Sequence, residues 1–175
     1  KNLQLGVNNK RFAASIKKKK KVESNFHKND LLAKSWNELR SKAVEVILGE
    51  ASQAFKVEQD AEYEDYKDTS FGKDLLTSVR LIETGSKFIT INYGGWDMHQ
   101  NIETSLNNRQ VQLDAYLAKL IDTLEKRGLY ERVMLVVTSE FGRTPKVNSN
   151  GGRDHWARLA PLMISCGSYD MGRVV

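Results

Sequence analysis

One cysteine, Cys166, and two prolines, Pro145 and Pro161, are all that 175 residues contain of either type. A single thiol excludes an internal disulfide framework and a cysteine-rich zinc site. No apolar run approaches the ~18 residues that cross a bilayer, so no membrane-spanning helix is expected. The chain opens on Lys1 rather than methionine, with no signal-peptide apolar stretch behind it. It is therefore expected to be a piece of a longer protein, and its compartment is not legible from residue 1. Acid is also missing locally. The first 22 residues hold Lys1, Lys10, Arg11 and Lys17 to Lys21 with no Asp or Glu, which leaves −3 of the net +5 for the other 153. A basic arm thus precedes a mildly acidic body. Such an arm can meet nucleic acid or another anionic surface. No aromatic residue interleaves with the Lys17–Lys21 run to stack on bases, so a solvated segment is favoured over nucleic-acid binding.

The length suits one domain, given roughly 100–200 residues per domain. Residues 1–69 read as a basic, mainly helical N-terminal segment. In 28–50 the positions Leu31, Leu32, Trp36, Leu39, Val44, Ile47 and Leu48 recur at helical spacing. Residues 56–68 are crowded with polar residues and read as a surface connection. From residue 70 the pattern alternates. Ser70 is placed to cap a helix bearing Leu75, Leu76, Val79, Leu81 and Ile82 and ending at Gly85. Residues 87–93 read as a strand. A long helix follows, with Leu106, Val111, Leu113, Leu117, Leu120, Ile121 and Leu124 inward and Gly128 after its last turn. Val133–Val137 is a continuous apolar run, as in a strand buried on both faces. Leu159–Cys166 is another. Alternation of helix and strand predicts an α/β fold with a mostly parallel sheet flanked by helices.

In such sheets reactive groups collect in the loops beyond the strand ends. The first strand is followed by Gly94-Gly95-Trp96-Asp97-Met98-His99, and the second by Ser139-Glu140-Phe141-Gly142-Arg143-Thr144-Pro145. Gly151-Gly152-Arg153-Asp154-His155-Trp156 precedes the third. Two of the three histidines lie in these loops, each near an aspartate. Taken singly the residues have plain explanations. Asp97 could cap a helix, Glu140 could pair with Arg143, and Trp96 and Trp156 suit packing. Taken together, Asp97, His99, Glu140, Asp154 and His155 form a candidate metal centre, because imidazole and carboxylate suit zinc, manganese or iron. Arg143 and Arg153 are the cations available to grip a phosphate or sulfate oxygen.

The runs from Phe88 to His99, from Ser139 to Pro145 and from Gly152 to Trp156 resemble the bacterial "domain of unknown function 1501" family, abundant in planctomycetes. The resemblance covers residues 68–175 and extends more loosely upstream. It implies an alkaline-phosphatase-like fold of the phosphatase and sulfatase superfamily, with residues 70–175 as the C-terminal part of an incomplete domain. The order Asp97/His99, long helix, strand ending at Glu140, then His155 before Pro161 is similar to that superfamily's order of motifs. Glu140-Phe141 stands where the superfamily carries Asp-His, which implies fewer ligands than a full two-metal site. The superfamily's nucleophile segment would precede this chain.

The resemblance implies a metal-dependent hydrolase of phosphate or sulfate esters. Its expected ion is divalent: zinc first, then manganese or calcium. Asp97, His99 and His155 would be ligands. Glu140 would be a further ligand or a supporting carboxylate, Asp154 would orient His155 through its ring N–H, and Arg143 would be the catalytic cation that holds the anion. The substrate would be an anionic small molecule or glycan ester, and the family suggests export or a periplasmic location. The rival expectation is a non-catalytic member that uses the same loops to bind a ligand or protein.

Overall fold

The computed structural model describes residues 14–15, 17–18, 35–42 and 49–174. The basic arm and the 28–50 helix lie largely outside these. Of them, 14–15, 17–18 and 35–42 are helical. The chain forms two compact units, one of residues 1–60 and 77–89, the other of 61–76 and 90–175.

In the first unit, the 3-10 turns Glu50–Phe55 and Val57–Gln59 bury Ala54 and Val57. Arg80 ties them down. Its guanidinium donates to Ala54 O at 3.0 Å, to Gln53 O at 2.8 Å and to Asp60 Oδ2 at 2.8 Å.

The second unit carries the candidate site. Helix α1 (Tyr63–Tyr66) lies inside the stretch that the sequence marks as a surface connection, yet Tyr66 is fully buried. Its hydroxyl shares a 2.8 Å hydrogen bond with Thr123, which lets a polar ring tip enter the core. Glu62 is also buried, paired with Lys126 and Arg127.

Helix α2 (Ser70–Glu83) begins in this unit and runs into the other. Its cap is Thr69 rather than Ser70: Thr69 Oγ1 accepts the Gly72 N–H at 2.9 Å. Gly85, at φ +93°, ends it with paired 6→1 and 5→2 bonds, Ser86 N to Leu81 O and Gly85 N to Ile82 O. Helix α3 (Ile102–Lys126) ends in the same way at Gly128. Its buried residues are Tyr116, Leu120, Thr123 and Leu124, whereas Val111, placed inward by the sequence pattern, is exposed. A chain of rings runs Tyr66–Tyr116–Phe71–Tyr93–Trp96, with the tightest stack, Phe71 on Tyr93, at 4.0 Å between centroids. It ends one residue before Asp97.

The strands are β1 (Leu135–Thr138), β2 (Gly142–Arg143), β3 (His155–Trp156) and β4 (Leu162–Ser165). β1 pairs with β4 and β2 with β3, both antiparallel. The chain is α/β in the general sense, of helices with small antiparallel sheets. The expected parallel pairing is not found among the described residues. A parallel neighbour needs a crossover, usually helical. Residues 139–161, between β1 and β4, instead hold the β2–β3 ribbon. Residues 87–93, expected as a strand, form no ladder. The β1–β4 pair is also less covered than a doubly buried strand: Val136 is 49% exposed and Leu162 63%. No described helix is long and apolar enough to cross a membrane.

Candidate metal centre

Two loops build the site, 94–101 ahead of α3 and 144–154 between β2 and β3. Backbone bonds sew them together. Arg153 N donates to Met98 O at 3.0 Å, Ile102 N to Gly151 O at 2.9 Å and Asn101 N to Asn150 O at 3.2 Å. Gly152 makes this approach possible, because a Cβ there would overlap the backbone of His99 and Gln100. In the first loop Met98 is buried while Asp97 and His99 on either side of it stay exposed. In the ribbon Arg143 faces His155 directly in register. Asp97, His99, Arg143 and His155 are thereby gathered from three segments.

Asp97 Oδ1 is the centre. It lies 2.8 Å from His155 Nε2, 3.0 Å from His99 Nε2 and 2.5 Å from Arg143 Nη2. The two Nε2 atoms are 3.1 Å apart. The far side of His99 meets Asp154, with Nδ1 3.2 Å from Oδ1. Both Asp154 and Asp97 can only accept when ionised; the Asp154 contact favours the His99 tautomer with the proton on Nδ1 and the lone pair on Nε2. Arg143 supports the same tautomer from the other side. Its Nη1, which can only donate, lies 3.4 Å from His99 Nε2. The Phe141 ring lies on His155, 4.2 Å between centroids.

The electrostatics follow from these contacts. The hydrogen bond from Arg143, and then that from His155, hold the Asp97 carboxyl at about 2, well below the usual range. Asp154 is lowered too, first by Asn148 and then by His99.

Asp97, His99 and His155 thus converge as the sequence implies. Among the described residues they form a set of ligand atoms all within 4.8 Å of one another. Glu140 is exposed and not in that set. Asp154 stands behind His99, not behind His155 as its sequence neighbour would suggest. Arg143, expected open for an anion, is 21% exposed and engaged. Besides Asp97 it donates to Arg153 O at 3.0 Å and Trp96 O at 3.2 Å. Asn148, which the motif reading passes over, uses its whole amide. Oδ1 accepts from Asn150 N and Gly152 N, and Nδ2 donates to His99 O and Asp154 Oδ1. Only its place in a glycine-flanked turn could have marked it.

The donor set fits a transition-metal or zinc ion. Two imidazoles and one carboxylate suit zinc, manganese or iron, whereas calcium takes six to eight oxygens. The family described as a protein of unknown function, DUF1501, matches residues 2–175, and the chain belongs to that family. No curated protein and no solved structure matches it.

Proposed function

We propose that Asp97, His99 and His155 hold a divalent ion, zinc or manganese, at the centre of a hydrolase site for phosphate or sulfate esters. The observation that carries the metal is the meeting of three ligand atoms, Asp97 Oδ1 and the Nε2 atoms of His99 and His155, with Asp154 against the far nitrogen of His99. The resemblance to the phosphatase and sulfatase superfamily supports the reaction class, which is an analogy of fold and motif. On this reading residues 70–175 are the C-terminal part of an alkaline-phosphatase-like domain. Mixed sheets often carry an antiparallel edge strand, and the β1–β4 pair suits that place. Bound at the site, the ion would polarise an ester oxygen and offset developing charge. The protein's own part is to orient His99 through Asp154, to keep Asp97 ionised through Arg143, and to present Arg143 to the anion.

A second reading has one observation in its favour. Arg143 is closed on Asp97 and two backbone carbonyls, as a scaffold arginine would be. A member that uses an ion for structure and binds a ligand or protein without turnover would look the same.

Calorimetry with zinc and manganese, followed by orthovanadate, tests the reading. One ion per chain and vanadate binding that requires the ion are expected. His99→Ala and His155→Ala should each weaken the ion by more than about tenfold, since both supply a ligand. Ion binding without any oxyanion binding would favour the second reading. No ion binding would remove both.

A further inference from the structure

The site leans on a residue that carries no charge and touches none of the three ligand atoms. Asn148 sits in the turn opposite His99, and its amide is saturated. Its Oδ1 takes two backbone N–H groups, from Asn150 and Gly152, each at 3.0 Å. Its Nδ2 gives one hydrogen to His99 O and one to Asp154 Oδ1, each at 3.1 Å. Two donors on one side and two acceptors on the other fix which way the amide points. The same Asp154 oxygen receives His99 Nδ1. A carboxylate otherwise free to turn is thereby held at the far nitrogen of one imidazole. The backbone bond to His99 O holds the loop that carries this imidazole.

We propose that Asn148 is a positioning residue: through Asp154 it fixes the Nδ1–H tautomer and ring orientation of His99, and so presents Nε2 toward Asp97 and His155. This rests on the metal reading only for its effect on ion affinity, because the tautomer belongs to the chain alone. Outer partners of this kind typically change metal affinity 10–100-fold when removed.

Asn148→Asp separates the two duties of the amide. The carboxylate can still accept from Asn150 N and Gly152 N, so the turn keeps its bonds. It cannot donate, and it places a like charge against Asp154. Two readouts apply to the whole chain: the His99 tautomer from long-range proton–nitrogen correlation NMR, and zinc affinity from calorimetry. In the wild type, His99 should be the Nδ1–H form. Asn148→Asp should lose that preference and weaken zinc about 10–100-fold. Asp154→Ala should do the same, and adding Asn148→Asp to it should change little more, because the two act in series. A His99 that keeps Nδ1–H in Asn148→Asp overturns the proposal, as do losses that add in the double variant. If Asn148→Asp fails to fold, Asp154→Ala decides: an unchanged tautomer there breaks the chain of contacts. Should the wild type bind no zinc while the tautomer shifts as stated, the metal reading falls and the positioning role stands.

Discussion

Arg143 carries the contest between catalytic and structural readings at the residue scale. Three positions separate it from Glu140, which lets both face one cleft with Arg143 free for an anion, and such a residue can usually be replaced within ~0.5 kcal/mol. The structure gives it three oxygen acceptors instead, besides its contact with His99 Nε2. Arg143→Gln should therefore lower stability by about 1.5–3 kcal/mol, the range for hydrogen bonds that involve a charged group. Urea unfolding measures this. The same change should act in opposite directions on the site's ligands. A positive charge leaves the very oxygen an incoming cation would use, so manganese should bind more tightly when no anion is present. Vanadate should bind more weakly, because the guanidinium that would grip it is gone. A variant with unchanged stability and unchanged affinity for both would leave Arg143 in neither role.

At the scale of elements, Tyr66 shows what periodicity conceals. The short helix α1 has no apolar stripe, yet its last ring anchors the aromatic chain that leads to Trp96. Burial pushes the Tyr66 hydroxyl up to about 12, and the Thr123 hydrogen bond offsets only part of that. Below the ordinary tyrosine value near pH 10, folded and unfolded chains both hold the proton and Tyr66 adds no pH dependence. Between about 10 and 12 the unfolded chain releases it while the folded chain keeps it. Stability should then fall as pH rises, by about 1.4 kcal/mol per unit crossed. Comparison of urea midpoints at pH 9 and pH 11 should show a larger drop for the wild type than for Tyr66→Phe. Equal drops would mean that the ring is not held neutral by burial. The ends of α2 and α3 were legible because Gly85 and Gly128 meet a local backbone need. The pairing of β1 with β4 was not, because an apolar run states burial and not direction. Asp97, His99 and His155 were legible as residue types in matching loops. The turn of Arg143 onto Asp97 and the bond from Asn148 to His99 O span 46 and 49 positions, which no local spacing encodes. The other three bonds of Asn148 are local but follow from the geometry of its turn rather than from residue type.

For the molecule as a whole, the site joins distant parts of the chain. Asp97 and His155 are 58 positions apart, and His99 and His155 are 56. An ion held by all three binds a geometry that the unfolded chain does not supply, so its binding free energy adds to folding stability. At a free concentration a hundredfold above its dissociation constant the gain is about 2.7 kcal/mol. For a chain of this size that corresponds to roughly 5–10 °C in melting temperature. The chain should therefore melt higher with zinc than with a chelator, and the shift should grow with zinc concentration. Only three histidines exist, so the assignment is tractable by substitution. His99→Ala and His155→Ala should each remove most of the shift, whereas His27→Ala should keep it. Loss of the shift in His27→Ala alone would move the ion away from Asp97. A melting temperature indifferent to zinc in the wild type would leave the three converging ligand atoms as a hydrogen-bonded cluster held by Arg143.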